Sequence, residues 1–379
     1  MPEFGPLRLE HETIDVDWLR GVLAGSFIIE DVTVGAAGGR TMRLRGRFVE
    51  DTATAYTRLA PRFRERGYTL MFRREKGEDV ILVVHGVIKP TANNTWLPIV
   101  LAVATVVSVL ISYVLSYEVN ELSWRALWAA LPKGLPFTLG LISILLVHEL
   151  GHYFAARYFG VAVTLPYLIP FPLIGSFGTL GAVIRMKDIP PSKRAMLLIG
   201  AAGPCAGLVV AIPILIVGLS RSPVAPLPSQ GGYIMEGNSL LYLALKYAIF
   251  GRLLPSGGED VMLHPLALAG WAGLLVTSFN LIPAAQLDGG HIAYTLLGFR
   301  ARYLTYAIIG ALVIMALVWP GWLLWAGLIF VFSRFSVRPL DDCSPLEPAE
   351  MMAAIFLLVI FVLTFTPVPL RVIPLKMAM

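Results

Sequence analysis

Residues 135–159 read LPFTLGLISILLVHELGHYFAARYF, and the fold turns on that stretch. It is apolar over roughly the 20 residues that a bilayer-crossing helix needs, yet it carries His148, Glu149 and His152 in its interior. On a helix, residues i and i+4 share a face, so both imidazoles can reach one point while Glu149 projects beside them. Two imidazoles so placed suit a zinc ion, which activates water for attack on a carbonyl carbon while a neighbouring carboxylate takes the proton. In a soluble helix the same pattern can arise by chance or as a surface charge cluster. Inside an apolar span it marks a functional site, because an ionisable group at membrane depth is costly unless it is paired or binds an ion.

The rest of the chain agrees with a membrane setting. Of 379 residues, 56% are hydrophobic and 15% charged, and the mean hydropathy of +0.72 exceeds that of an ordinary soluble domain. Charge is concentrated in residues 1–93, and beyond Trp96 one apolar block follows another. The expected organisation is a small soluble α+β module, 1–93, followed by a polytopic α-helical membrane domain, 94–379. Spans are expected near 97–117, 135–159, 194–219, 264–285, 303–319, 321–334 and 350–367, about seven in all. Leu240 to Leu254, interrupted by Lys246 and Arg252, reads as an interfacial helix. Three basic connections, with Arg185, Lys187, Lys193 and Arg194, then Arg300 and Arg302, then Arg334 and Arg338, fall on one side in this count. That side is the cytoplasmic one and carries the module, with Glu118 to Lys133 and Ser220 to Met262 outside. A prokaryotic cell membrane is the expected location.

Within the module, a strand near Thr41–Phe48, a helix from about Asp51 to Arg66, and strands at Thr69–Arg73 and Val80–His85 are expected, the last two joined by Lys76 to Glu78. His11 and His85 stand apart from any ligand pattern and read as surface or packing residues. The net charge of +5 does not make a nucleic-acid surface, because the arginines are interleaved with Glu and Asp. The two cysteines, Cys205 and Cys343, allow neither a disulfide framework nor a CxxC metal site. Glu3, Glu10, His11, Asp15, Asp17 and Arg20 leave no apolar signal-peptide core in the first twenty residues.

Two histidines do not complete a catalytic zinc site, which has three protein ligands and an open position. Glu259, Asp260 and His264 lie at the outer end of a span. Asp288, in NLIPAAQLDGGH over residues 280–291, is an acid in a long apolar region. Pro283, Gly289 and Gly290 flank it, and such breakers are tolerated at membrane depth only where protein or a polar cavity surrounds the backbone. His148, His152 and Asp288 are the expected ligands of one zinc ion per chain, with Glu149 the catalytic base. His291 offers a further imidazole, as a partner behind the ligands or on the cytoplasmic face. An ion or solute transporter, or an inactive membrane scaffold, would also hold such groups. The metalloprotease order and spacing, the lack of an inverted repeat and the presence of Glu149 favour an enzyme.

HELGH in one membrane helix, with NxxP and then LDGG in a later one, resembles the site-2 protease family of intramembrane zinc metalloproteases over about residues 95–300. The resemblance implies His148, His152 and Asp288 as ligands, Glu149 as base and Asn280 as an amide that contacts substrate or transition state; Gly203-Pro204 also resembles a family pattern. It implies as substrate a single-pass membrane protein or a signal-peptide remnant, with the bilayer as the other partner and no nucleic acid. The family's re-entrant strand falls at Ser176–Met186, SFGTLGAVIRM, which is rich in strand formers and follows the breakers Pro166, Pro170, Pro172 and Gly175. There Gly178, Thr179, Leu180 and Gly181 would hold an unwound substrate by strand addition. Two departures stand out. Many members carry a second proline where this chain has Ala285, and many insert a PDZ domain for which residues 220–263 are too few, leaving the soluble module as the candidate for substrate selection.

Overall fold

The computed structural model describes residues 16–35, 41–87, 95–119, 121, 123–172, 177–228, 233–335 and 337–373. The chain opens with helix α1 (Val16–Leu23) and strand β1 (Phe27–Val34), then β2 (Thr41–Phe48), α2 (Thr52–Glu65), β3 (Tyr68–Glu75) and β4 (Glu78–His85). The four strands form an antiparallel sheet in the order β1-β2-β4-β3. Alternate side chains point to one face, so Met42, Leu44, Leu70, Phe72, Ile81 and Val83 share a core with Leu59 and Phe63 of α2. Asp51 starts α2 by accepting the Thr54 N–H at 2.9 Å. His85 packs its ring on Tyr68 at 5.4 Å, the packing role expected of it. His11 lies outside the described residues.

Nine helices follow among the described residues: α3 (Trp96–Tyr117), α4 (Trp124–Tyr158), α5 (Lys193–Ser220), α6 (Leu240–Phe250), α7 (Pro265–Asn280), α8 (Asp288–Leu297), α9 (Ala301–Met315), α10 (Gly321–Phe332) and α11 (Pro348–Thr364). Between and after them, three antiparallel pairs are made by β5 (Tyr167–Pro170) with β6 (Thr179–Val183), β7 (Val224–Pro226) with β9 (Glu259–Val261), and β8 (Tyr233–Glu236) with β10 (Leu370–Ile373). Four stretches are long and apolar enough to cross a membrane, Trp96–Tyr117, Trp124–Tyr158, Lys193–Ser220 and Asp288–Met315, although the 3-10 turn Gly298–Arg300 divides the last into α8 and α9; the other apolar helices are shorter. Buried side chains of α4, α5 and α7, among them Ile144, Leu145, Ala211, Leu215 and Ala272, make the main core.

Three expected boundaries move. The span expected at 135–159 starts at Trp124, because Ser123 caps it by accepting the Ala126 N–H at 3.2 Å and the helix absorbs Pro132 and Pro136. The span expected at 264–285 ends at Asn280, and residues 281–287 turn before α8 begins. The short helix expected over Leu240–Leu254 ends at Phe250, and its Lys246 turns into the protein. That side chain is fully buried, with Nζ 3.6 Å from Asp260 and 4.0 Å from Glu236, so the charge is matched inside the protein.

Residues 339–344 join the sheet to the helices. β3 is an edge strand, and its Phe72 N–H donates to the Leu340 carbonyl at 2.9 Å while the Asp342 N–H donates back to Phe72 at 3.2 Å. On the opposite side, the N–H groups of Leu340 and Asp341 donate to the carbonyls of Pro190 and Pro191, both at 2.9 Å, just ahead of α5. Arg73 donates to the carbonyls of Pro339 and Leu340 at 2.8 and 2.9 Å, and the Tyr294 hydroxyl of α8 donates to Asp342 at 2.7 Å. Cys343 sits in the core of the sheet, where burial pushes its thiol up to about 12, so it packs as a neutral group. Arg73→Ala removes the donor from two carbonyls in a buried segment and should destabilise this junction by about 1.5–3 kcal/mol. Hydrogen exchange at the Phe72 and Asp342 amides should accelerate accordingly, while amides in the middle of α4 keep their protection.

Candidate metal centre

α4 carries His148, Glu149 and His152 on the side turned towards α5 and α7, and all three are buried. The carbonyl of Ile199 in α5 lies 2.7 Å from His152 Nδ1. A carbonyl can only accept, so the Nδ1 position holds the proton and Nε2 is left with a free lone pair. The Nε2 atoms of the two histidines lie 3.2 Å apart, and Asp288 Oδ2 is 3.4 Å from His148 Nε2 and 3.2 Å from His152 Nε2. Among the described residues this is the one group of three His, Cys, Asp or Glu side chains whose donor atoms converge. Zinc bonds of about 2.0–2.1 Å at tetrahedral angles put neighbouring donors roughly 3.3–3.4 Å apart. The triangle matches that spacing, and its two imidazoles and one carboxylate are the donor set of a catalytic site, so the residues fit a zinc ion with one position left open.

Small residues on α5 make room for this geometry. A Cβ on Gly203 would lie 2.0 Å from His152 Nε2, and one on Gly207 would lie 3.0 Å from His148 Nδ1. Asp288 is delivered by the turn between α7 and α8. Within it Ala285 takes a φ of 52° and donates its N–H to Thr305 of α9 at 3.1 Å. Proline is locked near −65°, so this turn could not take the second proline that many members of the resembling family carry. At the far side of the turn, a Cβ on Gly289 would lie 2.0 Å from the Leu281 carbonyl, which explains a glycine directly after the acid.

Other expected residues fall as follows. Asn280, the last residue of α7, places its amide nitrogen 3.2 Å from His148 Nε2, inside the site. The main-chain N–H of Ile184, immediately after β6, faces the Glu149 carboxylate. β6 itself starts at Thr179, later than the expected Ser176, which lies outside the described residues. It carries one more residue than β5 between aligned pairs, and Gly181 at φ 99° takes up the bulge. Gly178 lies so close to α3 that a Cβ would meet the Ser108 carbonyl at 2.5 Å, and the Ser108 hydroxyl donates to the Gly178 carbonyl at 2.6 Å. Thr179 donates from its hydroxyl to Ile169, and the Leu180 side chain is exposed. His291 stands behind Gly200 of α5 and is not one of the converging donors. Asp260 is spent on Lys246, and His264 caps α7 by accepting the Leu266 N–H at 3.1 Å. The contributions of Ile199, Ile184 and Thr305 escaped sequence reasoning, since two are main-chain groups and the third is one hydroxyl among many.

Residues 136–319 contain every one of these converging side chains and match one family model. The matching family is peptidase family M50. The resemblance to site-2 proteases drawn from HELGH and LDGG therefore holds over this segment. The chain is 34% identical over 237 residues to the protein named probable zinc metalloprotease EGY2, chloroplastic, of Arabidopsis thaliana, covering 61% of this chain and 41% of that one. It is 32% identical over 247 residues to probable zinc metalloprotease EGY1, chloroplastic, of Oryza sativa subsp. japonica, with 62% and 41% covered. It thus spans about two-fifths of the length of these curated relatives. Both names place those relatives in chloroplasts and lend no support to the expected prokaryotic cell membrane.

Two substitutions separate ligand from scaffold. Asp288→Ala should lower zinc affinity by at least about a hundredfold in a chelator titration, whereas His291→Ala and His264→Ala should leave it within a few-fold. Gly203→Ala, which changes no ligand, should weaken zinc binding by about 10–100-fold because its methyl group displaces the His152 ring. Zinc binding by Gly203→Ala equal to that of the parent chain would show that α5 does not set the ring's position.

Proposed function

We propose that the chain is an intramembrane zinc metalloprotease that hydrolyses peptide bonds of membrane-spanning proteins, with His148, His152 and Asp288 holding one zinc ion and Glu149 acting as general base. The observation that carries this reading is the triangle of donor atoms beside a buried carboxylate, among helices apolar enough to cross a membrane. The relatives' names and the M50 match support the same chemistry.

Zinc, when bound, polarises the scissile carbonyl and makes water nucleophilic near neutral pH. Glu149 takes the proton of the attacking water and passes it to the leaving amine. The Ile184 N–H faces that carboxylate and would help to orient it. Asn280, within reach of the space beside His148 Nε2, donates to the oxygen on which charge develops.

A helical substrate has its peptide groups paired within its own turns, so it must unwind before it can be cut. Its freed backbone then needs partners where water is excluded, and the edge of β6 between Gly178 and Gly181 can offer them from the Thr179 main chain. The Phe171 N–H donates to the Gly178 carbonyl at 3.0 Å; in an antiparallel pair that leaves the Thr179 main chain facing away from β5. Because Ile184 follows on the same strand, a peptide laid along it would lie beside Glu149.

Seven crossings, by α3, α4, α5, α7 with α8, α9, α10 and α11, put the module of residues 1–93 in the cytoplasm. Two contacts agree with that count: β8 pairs with β10, and residues 339–344 meet both β3 and the approach to α5. A single-pass membrane protein or a signal-peptide remnant is the proposed substrate, with the cytoplasmic module selecting it.

Glu149→Gln should lower cleavage of a membrane-spanning peptide by about 10²–10⁴-fold while the metal content stays at the parent level; loss of zinc in this variant would assign Glu149 to the ligand set. Thr179→Pro, which removes an N–H from the open edge, should raise KM or stop turnover with zinc retained, and Thr179→Ser should restore most of it. A Thr179→Pro protein that cleaves with the parent KM would rule out strand addition. Gly181 is unsuited to the same test, since its φ excludes proline whatever the substrate does.

A further inference from the structure

Phe299, in the 3-10 turn Gly298–Arg300 that joins α8 to α9, carries two guanidinium groups on one ring. Arg302 lies 3.9 Å from the ring centre and Arg338, which arrives from the segment after α10, lies 5.2 Å from it. Arg302 also stacks on Tyr303 at 4.6 Å, and Arg334 lies over Phe330 at 5.0 Å. All three arginines are exposed. Among the described residues no carboxylate lies within ion-pairing distance of them. The nearby acids are taken elsewhere, Asp342 by Lys193 at 3.6 Å and Glu350 by Arg194 at 3.1 Å.

Stacking on an aromatic face contributes only about 0.5–1 kcal/mol at an exposed site, and the like charges oppose one another. The arrangement calls for an anion. What surrounds it says which kind: Leu297, Phe299, Tyr303, Phe330, Phe332 and Phe335 are exposed beside the arginines at the ends of apolar helices. Free phosphate would satisfy the charge and leave this skirt bare, whereas a phospholipid brings a phosphodiester and the acyl chains to cover it.

We infer that Phe299, Arg302 and Arg338 form a binding site for the phosphodiester headgroup of an anionic phospholipid at the membrane surface where α8 meets α9. The site rests on the membrane reading and not on the peptidase reading, and its test does not read cleavage. Purified full-length protein in nanodiscs of mixed phosphatidylglycerol and phosphatidylcholine, examined by native mass spectrometry, should retain phosphatidylglycerol preferentially. Arg302→Gln with Arg338→Gln should lower that preference on the order of tenfold, with zinc content and melting temperature held. The double lysine variant keeps the charge without the planar stack and should fall between the two. Phe299→Leu, which leaves every charge in place, should also weaken retention and stands in if the glutamine pair fails to fold. Equal retention by the parent and the folded variants would overturn the site. So would displacement of the lipid by millimolar inorganic phosphate, which would show a site for free anions.

Discussion

His148, Glu149, His152 and Asp288 are ionisable side chains placed where the surroundings are apolar, and everything near them answers to that cost. An unpaired charge in such a place is strongly destabilising. The two imidazoles and the aspartate therefore face one another, with Glu149 buried beside them. For α4 and α8 to bring these groups together, α5 has to stand close behind them, which only a surface of small residues permits. Gly203 and Gly207 belong to the candidate metal centre as much as the converging side chains do, although neither carries a side chain.

Much of the site was legible because ionisable residues inside apolar runs have few innocent explanations. HELGH announced itself by helix spacing, and Asp288 by being an acid among helix breakers. What escaped was whatever depends on the path of the main chain. The turn over residues 281–287 reads as a continuation of α7 until Ala285 is seen at φ 52°, held by Thr305 from a different helix. β6 was expected, but its bulge at Gly181 was not, because the bulge is defined only against β5.

The same division holds for the fold. β2, α2, β3 and β4 bury alternate or helically spaced side chains and could be read from them, whereas β1 lies at the edge of the sheet and buries little besides Phe27, so its alternation is faint. α1 spaces Leu19, Val22 and Leu23 helically but is only eight residues long, too short to stand out in the sequence. Lys246 shows the same limit: sequence shows only a lysine that interrupts a short apolar helix, because its partners Glu236 and Asp260 come from separate strands.

The contact between β3 and residues 339–342 also orders events in time. The sheet leaves the ribosome ahead of the helices, with the edge of β3 open, and the segment that covers Phe72 is made only after the chain has passed through α10. Throughout the synthesis and insertion of α3 to α10, the cell holds a half-finished protein with an exposed strand edge, the kind of surface that pairs with the wrong neighbour. Arg73, Arg74 and Glu75 put charge on β3 itself, a protection needed most by the nascent chain.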